Sequence, residues 1–284
     1  MTVGQWLQQA KTQLQTAGIE TARLDSLVLL EDCSGLDRGY LLAHPELELT
    51  PEKIAVLESL LTRRTQHMPL AYLRGKAEFY GREFVVGPGV LVPRPESETI
   101  IGSLKQLFEQ FALDGLQPPD GKGWRIADVG AGCGCLGITA ALELPEARVE
   151  LLEFDRSAIE VARLNVINFA TSVLITASDL LSGANHGYDI LLCNLPYVPD
   201  EYTINRAATN EPAIAIFGGL DGLDLYRSLF HQINSLNSKP LYILAESLPL
   251  SHSALSSIAN SSGYKLQETV DFIQIFALSQ WIHI

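Results

Sequence analysis

The chain has 284 residues, 47% of them hydrophobic and 19% charged, with a formal net charge of −13. That is enough apolar material for one large core or two unequal ones, and the acidic balance, with no basic run longer than Arg63-Arg64, disfavours extended contacts with nucleic acid. No apolar stretch approaches the roughly 18 residues of a membrane span, and no basic segment precedes an apolar one at the N-terminus, so a cytoplasmic protein without a signal or transit peptide is expected.

From residue 3 to about 66, apolar residues recur at helical spacing: Trp6, Leu7, Ala10 and Leu14, then Leu24, Leu27, Val28 and Leu30, then Ile54, Leu57, Leu60 and Leu61. Gly18, Gly35, Pro45 and the Thr50-Pro51-Glu52 start signal break the pattern into three or four short helices, a small all-helical domain. Residues 68–92 turn to aromatic and β-branched side chains around glycines and read as a β-hairpin linker. Pro95, followed by Glu96 and Glu98, marks a helix start, because proline suits the first turn and acids suit the helix dipole.

After the break DGLQPPDGKG the pattern alternates strand, glycine turn and helix. Strands are expected over 125–130, 148–155, 173–177, 188–194 and 241–245, and a last pair, 264–270 and 273–279, is close enough to form an antiparallel hairpin at the sheet edge. The mostly continuous apolar runs imply a largely parallel sheet covered by helices on both faces.

Ligands bind such a sheet at the carboxyl ends of its strands, and the unusual residues fall there. The first strand closes in Asp128, Gly130, Ala131, Gly132, Cys133 and Gly134. This Gly-x-Gly-x-Gly run is tighter than the dinucleotide fingerprint and lets a ligand lie against bare amides, although a plain strand-to-helix turn is the simpler reading. Asp155, roughly 20 residues on, can accept hydrogen bonds from both hydroxyls of a ribose, or it can cap the helix RSAIEVARLN. Asp179 and Leu180 close the third strand, where they could frame an adenine ring or simply form a cap.

The fourth strand ends in Asn194-Leu195-Pro196-Tyr197, on structural grounds a strand-terminating turn. Chemically it offers a shelf for a planar amino group. The Asn194 side-chain oxygen and the Leu195 carbonyl could accept both hydrogens of that group and favour a pyramidal nitrogen, with Tyr197 packed against its plane. The six histidines are dispersed, so no general base is assigned, and Cys33, Cys133, Cys135 and Cys193 read as reduced thiols and not as a metal site.

Glycine loop, ribose acid and Asn-x-Pro-Tyr together resemble the class I S-adenosylmethionine-dependent methyltransferases that act on planar nitrogens. The stretches PLAYLRGKAEFYGREFVVGPGVLVPRPESE and EPAIAIFGGLDGLDLYR, with the helical N-terminal region, narrow the resemblance to the release-factor glutamine methyltransferases. Those enzymes modify the glutamine of the Gly-Gly-Gln motif in peptide chain release factors, and the resemblance spans nearly the whole chain. It implies an α/β class I methyltransferase (Rossmann-like) fold with a mostly parallel seven-stranded sheet and a small N-terminal helical bundle. The implied domains are a substrate-recognition domain over 1–67, a hairpin linker over 68–93 and a methyltransferase domain over 94–284.

It further implies that Asp128, Gly130 to Gly134, Asp155, Asp179, Leu180 and Asn194 hold S-adenosylmethionine, released as S-adenosylhomocysteine. Asn194, Leu195, Pro196 and Tyr197 would bind the glutamine and carry the reaction, Arg94 would line the substrate side, and the helical domain of a monomer would grip the release factor. An N6-adenine methyltransferase acting on RNA or DNA would share Asn-Leu-Pro-Tyr, and a non-catalytic module binding cofactor or release factor is a third reading. Three departures stand out: Leu195 replaces the family's usual first proline, SLPLSHS after Glu246 lacks a glycine, and the hairpin TVDFIQIFALSQ lacks the expected glycine and arginine.

Overall fold

In the computed structural model, which describes residues 1–184 and 187–281, the helical spacing of the N-terminal region folds as α1 (Val3–Thr16), α2 (Ala22–Ser34), α3 (Arg38–Ala43), α4 (Pro51–Thr65) and α5 (Leu70–Arg74). Local signals set the ends. Thr2 and Gln5 form a reciprocal capping box at α1, Thr50 caps α4 ahead of Pro51, and Gly35 and Gly75 close α2 and α5 in the left-handed conformation. Trp6, Leu14, Leu30, Leu41, Leu57 and Leu61 form the core, and Asp25 and Arg64 pair at 2.7 Å in its polar margin. This compact unit runs from Met1 to Lys76, past the boundary read at 67, and includes Ile204–Asn210, where Asn210 Nδ2 donates to the His67 carbonyl at 3.2 Å.

The second unit comprises Ala77–Thr203 and Glu211–Ile284, of which residues 185, 186 and 282–284 lie outside the described residues. A short hairpin, β1 (Lys76–Phe79) and β2 (Arg82–Val85), is followed by a 3-10 turn at Pro95–Ser97 and then α6 (Glu98–Leu113). The helix expected at Pro95 therefore starts three residues later, after a tighter first turn.

The main sheet contains β3 (Arg125–Val129), β4 (Arg148–Glu153), β5 (Leu174–Ala177), β6 (Ile190–Cys193), β7 (Tyr242–Glu246), β8 (Tyr264–Val270) and β9 (Ile273–Leu278), in spatial order β5-β4-β3-β6-β7-β9-β8. The first five run parallel, and β9 pairs antiparallel with both β7 and β8. Connecting these strands are α7 (Cys135–Glu143), α8 (Arg156–Asn168), α9 (Asp224–Asn234) and α10 (His252–Ser261).

Alternation along the strands feeds two cores: Ile126, Ile190 and Leu192 face one side, and Ala127, Val129, Leu191 and Cys193 the other. Fully apolar strands are thus stabilised from both faces, and the strand order reverses at β3 and β6, which places the next segments at a shared crevice. The last hairpin forms without its glycine because Asp271 takes a φ of 51°, a left-handed conformation that short polar side chains tolerate. In place of a glycine after Glu246, Pro249–Ser251 makes a 3-10 turn that leads into α10.

Candidate active site

A cavity of about 310 Å³ opens at the carboxyl ends of the parallel strands, lined by Gly130, Gly132, Leu180, Asn194 and Leu195 among others. It lies within the range of small-ligand sites.

The loop after β3 is shaped by its glycines. Gly130, Gly132 and Gly134 all have positive φ, at 71°, 57° and 82°, and no atom lies within 4 Å of where a Cβ on Gly132 would sit. The backbone there faces open space. Behind it, Gly137 packs so closely on Leu151 and Asp128 that a side chain could not enter, and its N–H donates to Asp128 Oδ2 at 2.8 Å. Burial pushes the Asp128 carboxyl up to about 7, against the lowering effect of that bond. Asn165, wholly buried on α8, ties the loop down by donating from Nδ2 to the carbonyls of Cys133 (2.9 Å) and Val85 (3.0 Å).

The end of β4 differs from the sequence expectation. The strand stops at Glu153, not Asp155, and Glu153 presents the carboxylate at its tip: Oε2 accepts from Gly132 N–H at 2.7 Å, and Oε1 from the N–H groups of Phe154 (2.7 Å) and Asp155 (2.8 Å). Asp155 lines the cavity, but its side chain caps α8, accepting from the N–H groups of Ser157 (2.8 Å) and Ala158 (3.0 Å) and from the Ser157 hydroxyl. The Ser157 hydroxyl bond and the Ala158 N–H hold the Asp155 carboxyl below its usual value. Asp155 thus takes the helix-capping role that the sequence offered, while also lining the cavity. Its signal lies in the sequence, since Asp-Arg-Ser-Ala places the carboxylate directly before the first helical N–H groups.

Asp179 and Leu180 both reach the cavity wall, on a turn in which the Ser178 hydroxyl donates to the Leu180 carbonyl at 2.7 Å and accepts from Gly183 N–H at 2.9 Å. Gln232 on α9 braces that turn by accepting from Leu181 N–H at 2.7 Å. Phe154, 64% exposed, adds an aromatic face to the same part of the wall.

Beyond β6, the Asn194-Leu195-Pro196-Tyr197 turn forms the opposite side. Asn194 Nδ2 donates to Ser97 Oγ at 2.7 Å, and Leu195, only 1% exposed, is seated against Gly130, with Leu195 Cδ2 3.0 Å from the position a Cβ would take there. The stiffness lost with the missing proline is thus replaced by packing. Gly218 and Gly222 sit flush against the carbonyls of Pro196 and Tyr197, and the pairs Val198 N–H to Ile216 carbonyl (3.0 Å) and Gly218 N–H to Val198 carbonyl (2.9 Å) stitch the turn to the following loop. Tyr197 donates its hydroxyl to Glu246 Oε1 at 2.8 Å, and burial together with that carboxylate pushes the phenol far above its usual value, so it remains a donor.

Arg94 lines the cavity, but its guanidinium is held at 2.7 Å by Glu211 Oε1, while Glu211 Oε2 accepts from Val92 N–H at 2.9 Å. Pro212, Ile214 and Ala215 then complete the wall, which gives the EPAIAIFGG stretch its place at the site. Ser97, Glu153, Asn165 and Glu246 were not singled out by sequence reasoning. Apart from the Phe154 and Asp155 N–H groups on Glu153, the partners described here for them are distant in the chain. Among the described residues no cluster of three or more His, Cys, Asp or Glu is arranged to hold a metal ion.

The residues fit S-adenosylmethionine: an open glycine loop, a carboxylate at the next strand tip and an apolar slot made by Leu136, Phe154 and Leu180 converge on one cavity. Residues 5–75 match the PrmC N-terminal domain and residues 109–211 the methyltransferase small domain. The release factor glutamine methyltransferase of Koribacter versatilis is 34% identical over 238 residues, covering 82% of this chain and 81% of that protein. Its counterpart from Mycolicibacterium smegmatis is 34% identical over 227 residues, covering 78% and 76%. Among solved structures, the hMettl16 catalytic domain in complex with a MAT2A 3'UTR hairpin superposes with a TM-score of 0.53 at 14% identity, covering 84% of this chain and 85% of that one, a likeness of fold alone. Identity at this level across four-fifths of both chains, on a fold and a strand-end cavity of the matching kind, places this chain in the release factor glutamine methyltransferase family.

Proposed function

We propose that the protein methylates the side-chain amide nitrogen of the glutamine in the Gly-Gly-Gln motif of peptide chain release factors. The observation that carries this reading is a pair of acceptors. Among the described residues neither Asn194 Oδ1 nor the Leu195 carbonyl receives a protein hydrogen bond, and both residues line the cavity beside the glycine loop. Two acceptors on one turn match the two hydrogens of a primary amide.

When bound, S-adenosylmethionine supplies a methyl group on a sulfonium, an electrophile that needs no metal. An amide nitrogen is a poor nucleophile because its lone pair is delocalised. By accepting both amide hydrogens, Asn194 Oδ1 and the Leu195 carbonyl favour a pyramidal nitrogen with its lone pair free. Tyr197, anchored through its hydroxyl to Glu246, packs against the amide plane. Holding the nitrogen in line is worth up to roughly 7–11 kcal/mol of the barrier, the main contribution expected of this site. The excess proton leaves to water, so no protein base is assigned.

On the cofactor side we assign Glu153, in place of Asp155, to the ribose hydroxyls, because it holds the strand-tip position and Asp155 is committed to α8. Gly130 to Gly134 would hold the cofactor against their backbone, Asp128 anchors the loop through Gly137 N–H, and Asp179, Leu180 and Phe154 would take the adenine. The helical unit grips the release factor, and the enzyme acts as a cytoplasmic monomer. No helix among the described residues is long and apolar enough to cross a membrane.

The reading is tested by incubating purified release factor with the protein and methyl-labelled cofactor. Label is expected on the wild-type factor and absent from one whose motif glutamine is replaced by alanine. Label retained by the alanine variant, or label appearing only on added RNA, contradicts it.

A further inference from the structure

The charges around the cavity are unevenly distributed. Asp128, Glu153, Asp155 and Asp179 line it, and among the described lining residues only Arg94 has a cationic side chain. That cation is answered from outside the lining by Glu211, whose side chain is only 2% exposed. Glu211 Oε1 accepts from the Arg94 guanidinium at 2.7 Å, and Oε2 accepts from Val92 N–H at 2.9 Å, so both carboxylate oxygens are committed. Arg94 therefore reaches the cavity wall as one half of an ion pair and not as a free charge. Two charges taken out of water gain little net stability from one another, so stability alone is a poor account of the pair.

We propose that the Glu211–Arg94 pair determines the charge preference of the cofactor site: by neutralising the cation on the wall, Glu211 lets the cavity favour the sulfonium of S-adenosylmethionine over the uncharged thioether of S-adenosylhomocysteine. Glu211 acts through Arg94 and is a positioning residue, since it does not line the cavity itself.

Substrate and product forms of the cofactor differ by one methyl cation. Their adenine, ribose and amino-acid parts are identical, so the ratio of the two affinities isolates the charge at sulfur. Inside a cleft with low-dielectric walls a charge acts over several ångströms and is screened less than in water. An unmatched guanidinium on the wall repels the sulfonium and leaves the thioether unaffected. An unmatched carboxylate does the reverse. With the pair intact the two contributions offset one another, and the acids of the wall set the preference.

Calorimetric titration of the full-length protein with each of the two molecules provides the test. Glu211→Gln keeps an acceptor for Val92 N–H and removes the charge that neutralises Arg94. Its affinity for S-adenosylmethionine relative to S-adenosylhomocysteine is expected to fall by about 3- to 30-fold, the span for one added charge at several ångströms in a partly screened site. Arg94→Met leaves the Glu211 carboxylate unmatched, and the ratio is expected to rise. The double variant, uncharged at both positions, should return the ratio close to its wild-type value. A merely structural role would weaken both molecules alike and leave the ratio unmoved in every variant. Single variants that leave the ratio unchanged, or shift it in the same direction, overturn the inference. Arg94 is 33% exposed at its side chain, so Arg94→Met still decides the matter if Glu211→Gln fails to fold: a ratio that stays or falls overturns the proposal. No release factor enters the titration, so its outcome is independent of the function proposed above.

Discussion

The two walls of the cavity are built by different means. On the side of β3 and β4 the shape is set by backbone: three glycines at positive φ, and a carboxylate at a strand tip that gathers the loop's own N–H groups. On the side of β6 it is set by residues from elsewhere in the chain: the side chains of Ser97 beneath Asn194 and Glu246 beneath Tyr197, and the close-packed backbone of Gly218 and Gly222 behind the turn. The first wall is formed mainly by backbone, with Asn165 tying the loop down from α8; the second is assembled from partners distant in the chain.

If the walls have separate tasks, single substitutions should separate them, and Asn194→Ala should do so most sharply. It is expected to reduce turnover at least about 100-fold, as for loss of an oriented polar group at a reacting centre, with cofactor affinity changed by no more than about threefold in a calorimetric titration. The converse variant, Glu153→Ala, should weaken cofactor binding roughly 10- to 100-fold, since a hydrogen bond to a charged acceptor contributes about 1.5–3 kcal/mol. Equal cofactor loss in both variants would erase the distinction.

Gly222→Ala probes the dependence of the second wall on its backing. Its φ of 78° and its approach to the Tyr197 carbonyl leave no room for a methyl group, so a loss of about 2–3 kcal/mol in unfolding free energy is expected, seen as a fall in Tm of roughly 4–12 °C. A variant as stable as the parent would show that the turn does not need that support.

Asp128 supplies a pH signature for the first wall. Burial raises its folded-state pKa from 3.8 to about 7, so across that window the unfolded chain releases a proton that the folded protein keeps. Stability from this group is fully present below its unfolded value and is lost as pH rises to about 7. Its slope approaches ~1.4 kcal/mol per pH unit in the middle of the window. Denaturant titrations from acid to neutral pH should show that slope flattened in Asp128→Asn. The smallest effect is expected of Asp155→Ala: loss of a helix cap, about 1 kcal/mol, with cofactor affinity within about threefold. A large loss of cofactor affinity there would return the ribose role to Asp155.

The same contrast explains what could be read in advance. The glycine loop, the strand pattern and Asn-Leu-Pro-Tyr are local signals, and the seven-stranded, mostly parallel sheet follows from short apolar runs separated by helices. The strand end was expected two residues late, at Asp155 and not Glu153, because an acid at a strand tip and an acid at a helix cap look alike when the boundary is read from apolar character alone, and Phe154 between them extends the apolar run. Ser97 is 97 residues from Asn194, and Glu246 is 49 from Tyr197, so only the topology brings them together. Residues 204–210 join the helical unit for the same reason: nothing local in that segment announces its partner. The missing glycine of the last hairpin had little consequence, since Asp271 adopts the turn conformation itself.

Peptide-mapping mass spectrometry of release factor, incubated with S-adenosylmethionine and either the wild-type protein or Asn194→Ala, decides most directly whether this cavity performs amide methylation. One added methyl group on the Gly-Gly-Gln glutamine with the wild-type protein, and none with the variant, is the expected result. An unmodified glutamine with the wild-type protein while cofactor binds normally, or equal modification by both, would contradict it.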